Sequence, residues 1–376
     1  MLSGFLTRQQ QRVNINVLVE SGLLRTPELL LRKDFMPVSN ELKGGDSYFL
    51  AEISPADQSW DVYRAQSDEI SKLYDLCGYD RYAERISQCS EWLMYALKSN
   101  DEGQIKLKLR DARFCRVRHC PVCQWRRELM WRARFFKALP DIQAKYPTGR
   151  WIFLTLTVKN CEISELKKTL TWMNVAWGRL TKRKEFPALG FIKSVEVTRC
   201  WDGTAHPHFH CLLFVPSGYF GGRKYMTQAI WTDLWQSCLK VDYTPIVDVR
   251  AVKGKKGTLK TMPDASNVAM MKAICETLKY SVKPDDLLAD PEWLSELTKQ
   301  LQKTRAISIG GCLKEFFSED DPEDLINGEI EEEEKTEDEA MLFFDWASAI
   351  RRYKKGSGKK DKKNEGPLQE SSLPAK

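Results

Sequence analysis

"GTAHPHFHCLLFV" spans residues 203–215 and carries His206, His208 and His210, three of the chain's four histidines. On a β-strand successive side chains alternate between faces, so the three imidazoles share one face while Phe209, Cys211, Leu213 and Val215 take the other. One histidine in a strand is most often a half-buried polar residue with a satisfied partner. Three in register each need a partner beside an apolar layer, and a metal ion serves them all at once. The stretch therefore reads as a metal-binding strand within a sheet.

The preceding "KSVEVTR", residues 193–199, places Glu196 between two valines, so its carboxylate points away from them. The short "CWDGTA" link makes this strand an antiparallel neighbour of the histidine strand, and Glu196 can then reach the histidine face. One carboxylate, Glu196, with two or three of the imidazoles of His206, His208 and His210 suits a divalent ion that must grip a substrate oxygen, Mn²⁺ or Mg²⁺ more than structural zinc.

Further out, "RWIFLTLTV" (150–158) and "PIVDVRAV" (245–252) read as strands. "SELKKTLTWMNVAWGRLTKR" (164–183), "YMTQAIWTDLWQSCLK" (225–240) and "NVAMMKAICETLKYSV" (267–282) have helical length and period. The expectation is an α+β fold, a mixed or antiparallel central sheet flanked by helices. Four regions follow: residues 1–75, weakly patterned and given no chemistry; a Cys- and Arg-rich segment, 76–140; the strand–helix domain, 150–317; and a charged, mostly disordered tail, 318–376, with a short helix at "AMLFFDWASAI" (340–350).

The 376 residues contain no run of 18 apolar residues, and "MLSGFLTRQQQRVNINV" lacks the basic start and apolar core of a signal peptide. The sequence reads as cytoplasmic, with no membrane partner, and its eleven cysteines as buried thiols or metal ligands rather than disulfides. The net charge of +6 hides a segregation. Residues 319–339 hold thirteen acidic side chains and one lysine, which leaves the rest near +18, a surface suited to phosphate.

"CRVRHCPVC" spaces Cys115, Cys120 and Cys123 as C-x4-C-x2-C, a pattern that presents thiolates to structural Zn²⁺ and calls for a fourth ligand. His119 adjoins Cys120 and is poorly placed to reach the same ion. In the following "QWRRELMWRARFFKALP", Arg126, Arg127, Arg132 and Arg134 alternate with Trp125, Trp131 and Phe135, which fits a DNA backbone or a core equally well. Glu276, Tyr280 and Lys283 stand at i, i+4 and i+7, one face of a helix, a spacing also common on solvated helices.

In order along the chain, "FLTLTV" (153–158), "HPHFH" (206–210) and "ETLKYSVK" (276–283) resemble the three motifs of plasmid rolling-circle replication initiators in the HUH endonuclease superfamily. With "FCRVRHCPVCQWRR" (114–127) and "RAISIGGCLKEF" (305–316), the resemblance narrows to the replication protein type 1 family and covers about residues 85–317. It implies metal ligation by His208 and His210 with Glu196 or His206 as the third ligand, a nucleophilic Tyr280, a terminating carboxylate at Glu276, and Cys89 as the fourth cysteine ligand. Lys283 would hold a phosphate. The implied activity is nicking of one strand at a double-strand origin, leaving a 5′-phosphotyrosyl link and a 3′-OH primer, with later rejoining. Its partners are plasmid origin DNA, single-stranded at the nick, and a host helicase and polymerase. An HUH transposase or relaxase would share this chemistry, and a zinc-ribbon DNA-binding regulator would share only the cysteines.

Overall fold

The structure is a computed structural model that describes residues 49–99, 105–222, 224–253, 268–279, 282–317, 325–326 and 340–356. Its first long helix, α1 (Ser59–Leu76), buries a partly polar stripe in which Arg64, Ser67 and Ser71 lie among Trp60, Ile70 and Tyr74. Arg64 donates to Asp68 (2.6 Å) and to the Ser87 carbonyl (2.6 Å), and the Ser71 hydroxyl donates to the Ala83 carbonyl (2.7 Å). These bonds dock α2 (Asp80–Ser87) on α1 and make burial of polar groups tolerable. Then come β1 (Trp92–Ser99), β2 (Ile105–Ala112) and the long α3 (Pro121–Lys145), whose proline at the first turn forfeits no intrahelical hydrogen bond.

The strand–helix region follows as β3 (Arg150–Thr157), α4 (Leu166–Leu180), β4 (Gly190–Arg199), β5 (Ala205–Val215), α5 (Gln228–Leu239), β6 (Val247–Val252), α6 (Val268–Leu278), α7 (Pro284–Leu288), α8 (Pro291–Gln300) and β7 (Ile307–Gly311). These strands form one antiparallel sheet in the order β6-β3-β5-β4-β7, with the histidine strand β5 at its centre. The β4–β5 turn is tight because Gly203 takes φ 84° and Asp202 Oδ1 accepts from the Thr204 amide (3.0 Å) and hydroxyl (2.6 Å). One face of β5, Phe209, Cys211, Leu213 and Val215, joins the core beneath α4 and α5. Leu212 and Phe214 share a second core with Phe135, Leu139 and Ile142 of α3 and Met270, Ile274 and Leu278 of α6. The helix carrying Glu276 thus lies on the histidine side of the sheet.

The tail departs from expectation. Residues expected to form a short helix are strand β8 (Met341–Ala347), followed by β9 (Arg352–Lys355). β8 pairs with β1, so a second antiparallel sheet, β2-β1-β8-β9, joins residues far apart in sequence. Within the acidic run Leu325 is buried, and Arg126 of α3 donates to the carbonyls of Leu325 and Ile326, each at 2.7 Å. Arg126 also lies over the rings of Trp60 and Trp125, and Arg132 is ion-paired with Glu128. With Phe135 fully buried, Arg126, Arg132, Trp125 and Phe135 pack towards the interior, whereas Arg127 and Arg134 stay partly exposed. Helix α3 joins two cores, and part of the charge that reads as a surface is turned inward.

On the α4 side of the sheet Lys193 is only 5% exposed. Its Nζ donates to Asn174 Oδ1 (2.7 Å) and sits 3.8 Å from the Phe209 ring centroid. Burial pushes this ammonium down to about 8. An unfolded lysine titrates near ~10.4, so between those values the unfolded chain binds more protons and stability rises with pH. Below about 8 the full cost of burying the charge is present. Lys193→Met is therefore expected to stabilise the fold by about 1–3 kcal/mol at pH 7 and to flatten the rise towards pH 10. Urea unfolding at pH 7 and 9.5 checks this, and a methionine variant weaker than wild type at both would contradict it.

Candidate active site

Antiparallel register places Glu196 directly across from His208 on β4 and β5, while β3 sets Thr155 opposite His210 on the other side. Glu196, His208 and His210 are 2%, 9% and 5% exposed, and one ligand atom from each lies within 4.8 Å of the others. Glu196 Oε2 is 3.0 Å from His208 Nε2 and 2.7 Å from His210 Nε2.

The outward nitrogens decide what this cluster can hold. His208 Nδ1 has the His206 carbonyl at 3.2 Å, which can only accept, so that nitrogen carries the proton. His210 Nδ1 faces the Thr155 hydroxyl at 3.2 Å. The hydroxyl can accept or donate, so it suits either tautomer of His210. With Nε2 protonated the imidazoles donate to the Glu196 carboxylate, and with Nε2 free the two imidazoles and the carboxylate are a sound donor set for a divalent ion. Burial lowers His210 from its ordinary value, which favours the neutral ring that a metal needs. Burial alone would raise the Glu196 carboxyl, but the His208 and His210 nitrogens and the Lys279 ammonium hold it well below the carboxylate range.

Helix α6 supplies the rest. Lys279, just past its end, puts Nζ 2.6 Å from Glu196 Oε2 and 2.7 Å from Glu276 Oε1. Burial would lower this ammonium, and the two carboxylates outweigh it and raise it. Glu276 remains half-exposed with Oε1 3.7 Å from His210 Nε2. Lys279 is a site residue that sequence reasoning missed; its i+3 spacing from Glu276 looks like any surface pair. Thr155 was also missed as a residue, although its motif was singled out.

Of the two candidates for the third position, the structure brings Glu196 to the cluster. His206 Nδ1 instead meets Asn160 Oδ1 at 2.8 Å. Tyr280 lies outside the described residues. The helical face expected to carry Glu276, Tyr280 and Lys283 does not extend to Lys283, since α6 ends at Leu278 and Lys283 is the extended N-cap of α7, ψ 141°. The cause is Pro284, whose ring excludes the preceding residue from helical geometry.

The cysteines form a second cluster. Cys89, at the exit of α2, meets Cys115, Cys120 and Cys123, all buried and all within 4.8 Å. Sulfur separations of 3.6 Å for Cys89–Cys123, Cys115–Cys123 and Cys89–Cys120 match the edge of a zinc–thiolate tetrahedron, about 3.8 Å for bonds of ~2.3 Å. Ser90 and Arg116, each following a cysteine of the cluster, adopt positive φ of 51° and 55°, and the Arg116 amide donates to Cys123 Sγ (3.3 Å). His119 turns away, its Nδ1 3.0 Å from the Tyr74 hydroxyl.

Comparison with known proteins shows the family. The family model for Replication protein (Rep_1) matches residues 106–354. A "Protein rep" of Bacillus amyloliquefaciens is 38% identical over 309 residues, covering 77% of this chain and 88% of that protein. Others from Streptococcus pneumoniae and Lactiplantibacillus plantarum are 32% and 40% identical, over 73% and 60% of this chain and 83% and 72% of theirs. No solved structure matches the chain. With both clusters inside or beside the matched span, the chain belongs to the Rep_1 replication protein family, the plasmid replication initiators.

Proposed function

We propose that the chain starts rolling-circle replication as a metal-dependent endonuclease of the HUH type, with residues 150–317 as its catalytic domain, nicking one strand of the plasmid origin through Tyr280. The observation that carries this is the convergence of His208 Nε2, His210 Nε2 and Glu196 Oε2 beside α6. A bound Mn²⁺ or Mg²⁺ supplies Lewis-acid neutralisation of the scissile phosphate. The His206 carbonyl accepts from His208 Nδ1, and the Thr155 hydroxyl can accept from His210 Nδ1, which leaves both Nε2 atoms free to ligate. Lys279 and Lys283 add positive charge where a phosphate backbone enters. Tyr280 follows Lys279 directly in sequence and attacks phosphorus, so that the ester passes to the phenol oxygen and the departing 3′-oxygen becomes a primer for a host polymerase. Because the attack needs an unpaired strand, the origin must be extruded or opened by a helicase. The cysteine cluster holds structural Zn²⁺ through Cys89, Cys115, Cys120 and Cys123.

The test is nicking of a single-stranded oligonucleotide bearing the plasmid origin, in Mn²⁺. His208→Ala and His210→Ala are expected to slow cleavage by about a hundredfold or more while still binding the strand. Cleavage at the wild-type rate after exhaustive chelation would overturn the metal-dependent reading.

A further inference from the structure

Trp201 is 95% exposed, at the tip of the hairpin whose strands carry Glu196 and His208. An indole so placed gains nothing from the core, and the hairpin backbone that carries it is held firmly. Asn160 Nδ2 donates to Thr204 Oγ1 and Cys200 Sγ, each at 3.2 Å, while its Oδ1 meets His206. The Cys200 amide closes the turn on the Thr204 carbonyl (2.9 Å), and Ala205 and Cys161 exchange backbone bonds of 2.8 and 2.9 Å. The tip is thus clamped to the end of β3 and loses little freedom if its side chain binds something.

Across the same end of the sheet the surface combines aromatic rings and positive charge. Lys159, just beyond β3, has Nζ 4.3 Å from the Tyr243 ring centroid, and its amide donates to the Tyr243 hydroxyl (3.3 Å). Ile246, 73% exposed, precedes β6 and accepts from the Thr157 amide (3.2 Å). Aromatic planes interleaved with cations are the pattern that binds single strands with little sequence preference, each stacked base contributing alongside backbone charge. From Glu196 to Trp201 is five residues, at most about 17 Å along the strand, within a few nucleotides of the metal cluster.

The geometry points to Trp201 as a stacking platform for an unpaired base of the DNA strand that enters the Glu196–His208–His210 site, with Tyr243 and Lys159 continuing the track. The inference rests on the nicking reading above. It is tested by fluorescence anisotropy with labelled dT20 and with a strand of the same length whose sugars carry no bases. Trp201→Ala is expected to weaken dT20 binding by about five- to a hundredfold and to leave the abasic strand unaffected. Trp201→Phe should recover part of the loss, and both variants should melt at the wild-type temperature. Equal affinity of Trp201→Ala and wild type for dT20, or an equal loss on both strands, overturns the stacking role while leaving the nicking reading intact. Wild-type protein that binds neither strand overturns the reading itself, and the inference falls with it.

Discussion

Cys120→Ser is expected to abolish zinc retention and to leave a protein that melts at least ten degrees lower or precipitates. Structural zinc contributes folding free energy of about 10–16 kcal/mol in small domains, and a serine hydroxyl replaces one of four thiolates poorly. The effect should spread because of what the cluster joins. Cys89 ends the α2 exit, Cys115 follows β2, and Cys120 and Cys123 begin α3. Helix α3 then reaches the second core through Phe135, Leu139 and Ile142, beside the α6 residues Met270 and Ile274. Loosening its first turn therefore weakens the wall behind the Glu196–His208–His210 cluster. Burial raises the Cys89 and Cys115 thiols well above their ordinary value, so without a dication these two favour the neutral, weakly ligating form. Metal analysis should find about one tightly held zinc per chain in wild type and none in the variant. Cys200→Ser, outside the cluster, is the control and should keep its zinc. A soluble, zinc-free Cys120→Ser protein with the wild-type melting temperature would refute the structural assignment.

The parts of this molecule that could be read from its sequence are those where hydrophobic period and burial coincide. β5 was legible because its first half alternates, with imidazoles opposite Phe209 and Cys211, before a run buried on both faces, and α4, α5 and α6 each show an apolar stripe over a sheet. Helix α1 escaped because part of its buried face is Arg64, Ser67 and Ser71, whose burial depends on partners in α2 that no local pattern reveals. β8 was mistaken for a helix because "MLFFDWA" is a short apolar run with no decisive period, and its strand identity comes from pairing with β1, nearly 250 residues earlier. The site divides the same way. Glu196 was within reach because a two-residue period and a tight turn fix its register. Lys279 was not, since its importance arises only when α6 packs against β4 and β5 and brings its ammonium to Glu196. Lys283 shows the opposite error, a helical spacing continued past the point where Pro284 ends it.

Tyr280→Phe and Glu276→Gln should separate the two halves of the reaction. The phenylalanine variant keeps the ring and lacks the oxygen that attacks phosphorus, so no covalent protein–DNA adduct is expected in any metal. Glu276 is a different case. Its Oε1 contacts the Lys279 ammonium at 2.7 Å and lies 3.7 Å from His210 Nε2, so a half-exposed carboxylate stands beside the Glu196–His208–His210 cluster, within reach of water. That placement suits a general base for a second cleavage, in which water replaces the phenol and the strand is released without a lasting protein link. The competing account makes Glu276 only a partner of Lys279, a helix-surface pair of about 0.2–0.5 kcal/mol. Lys279 is also held by Glu196, so under that account Glu276→Gln should barely disturb the site. Under the catalytic account the first nick and the Tyr280 adduct form at near the wild-type rate, while terminating hydrolysis slows by about 10²–10⁴-fold. A stepwise assay that follows adduct formation on one oligonucleotide and strand release on a second reads both rates. Termination at the wild-type rate in Glu276→Gln would leave the carboxylate as a charge partner alone, whereas loss of both steps together would place it with the metal ligands.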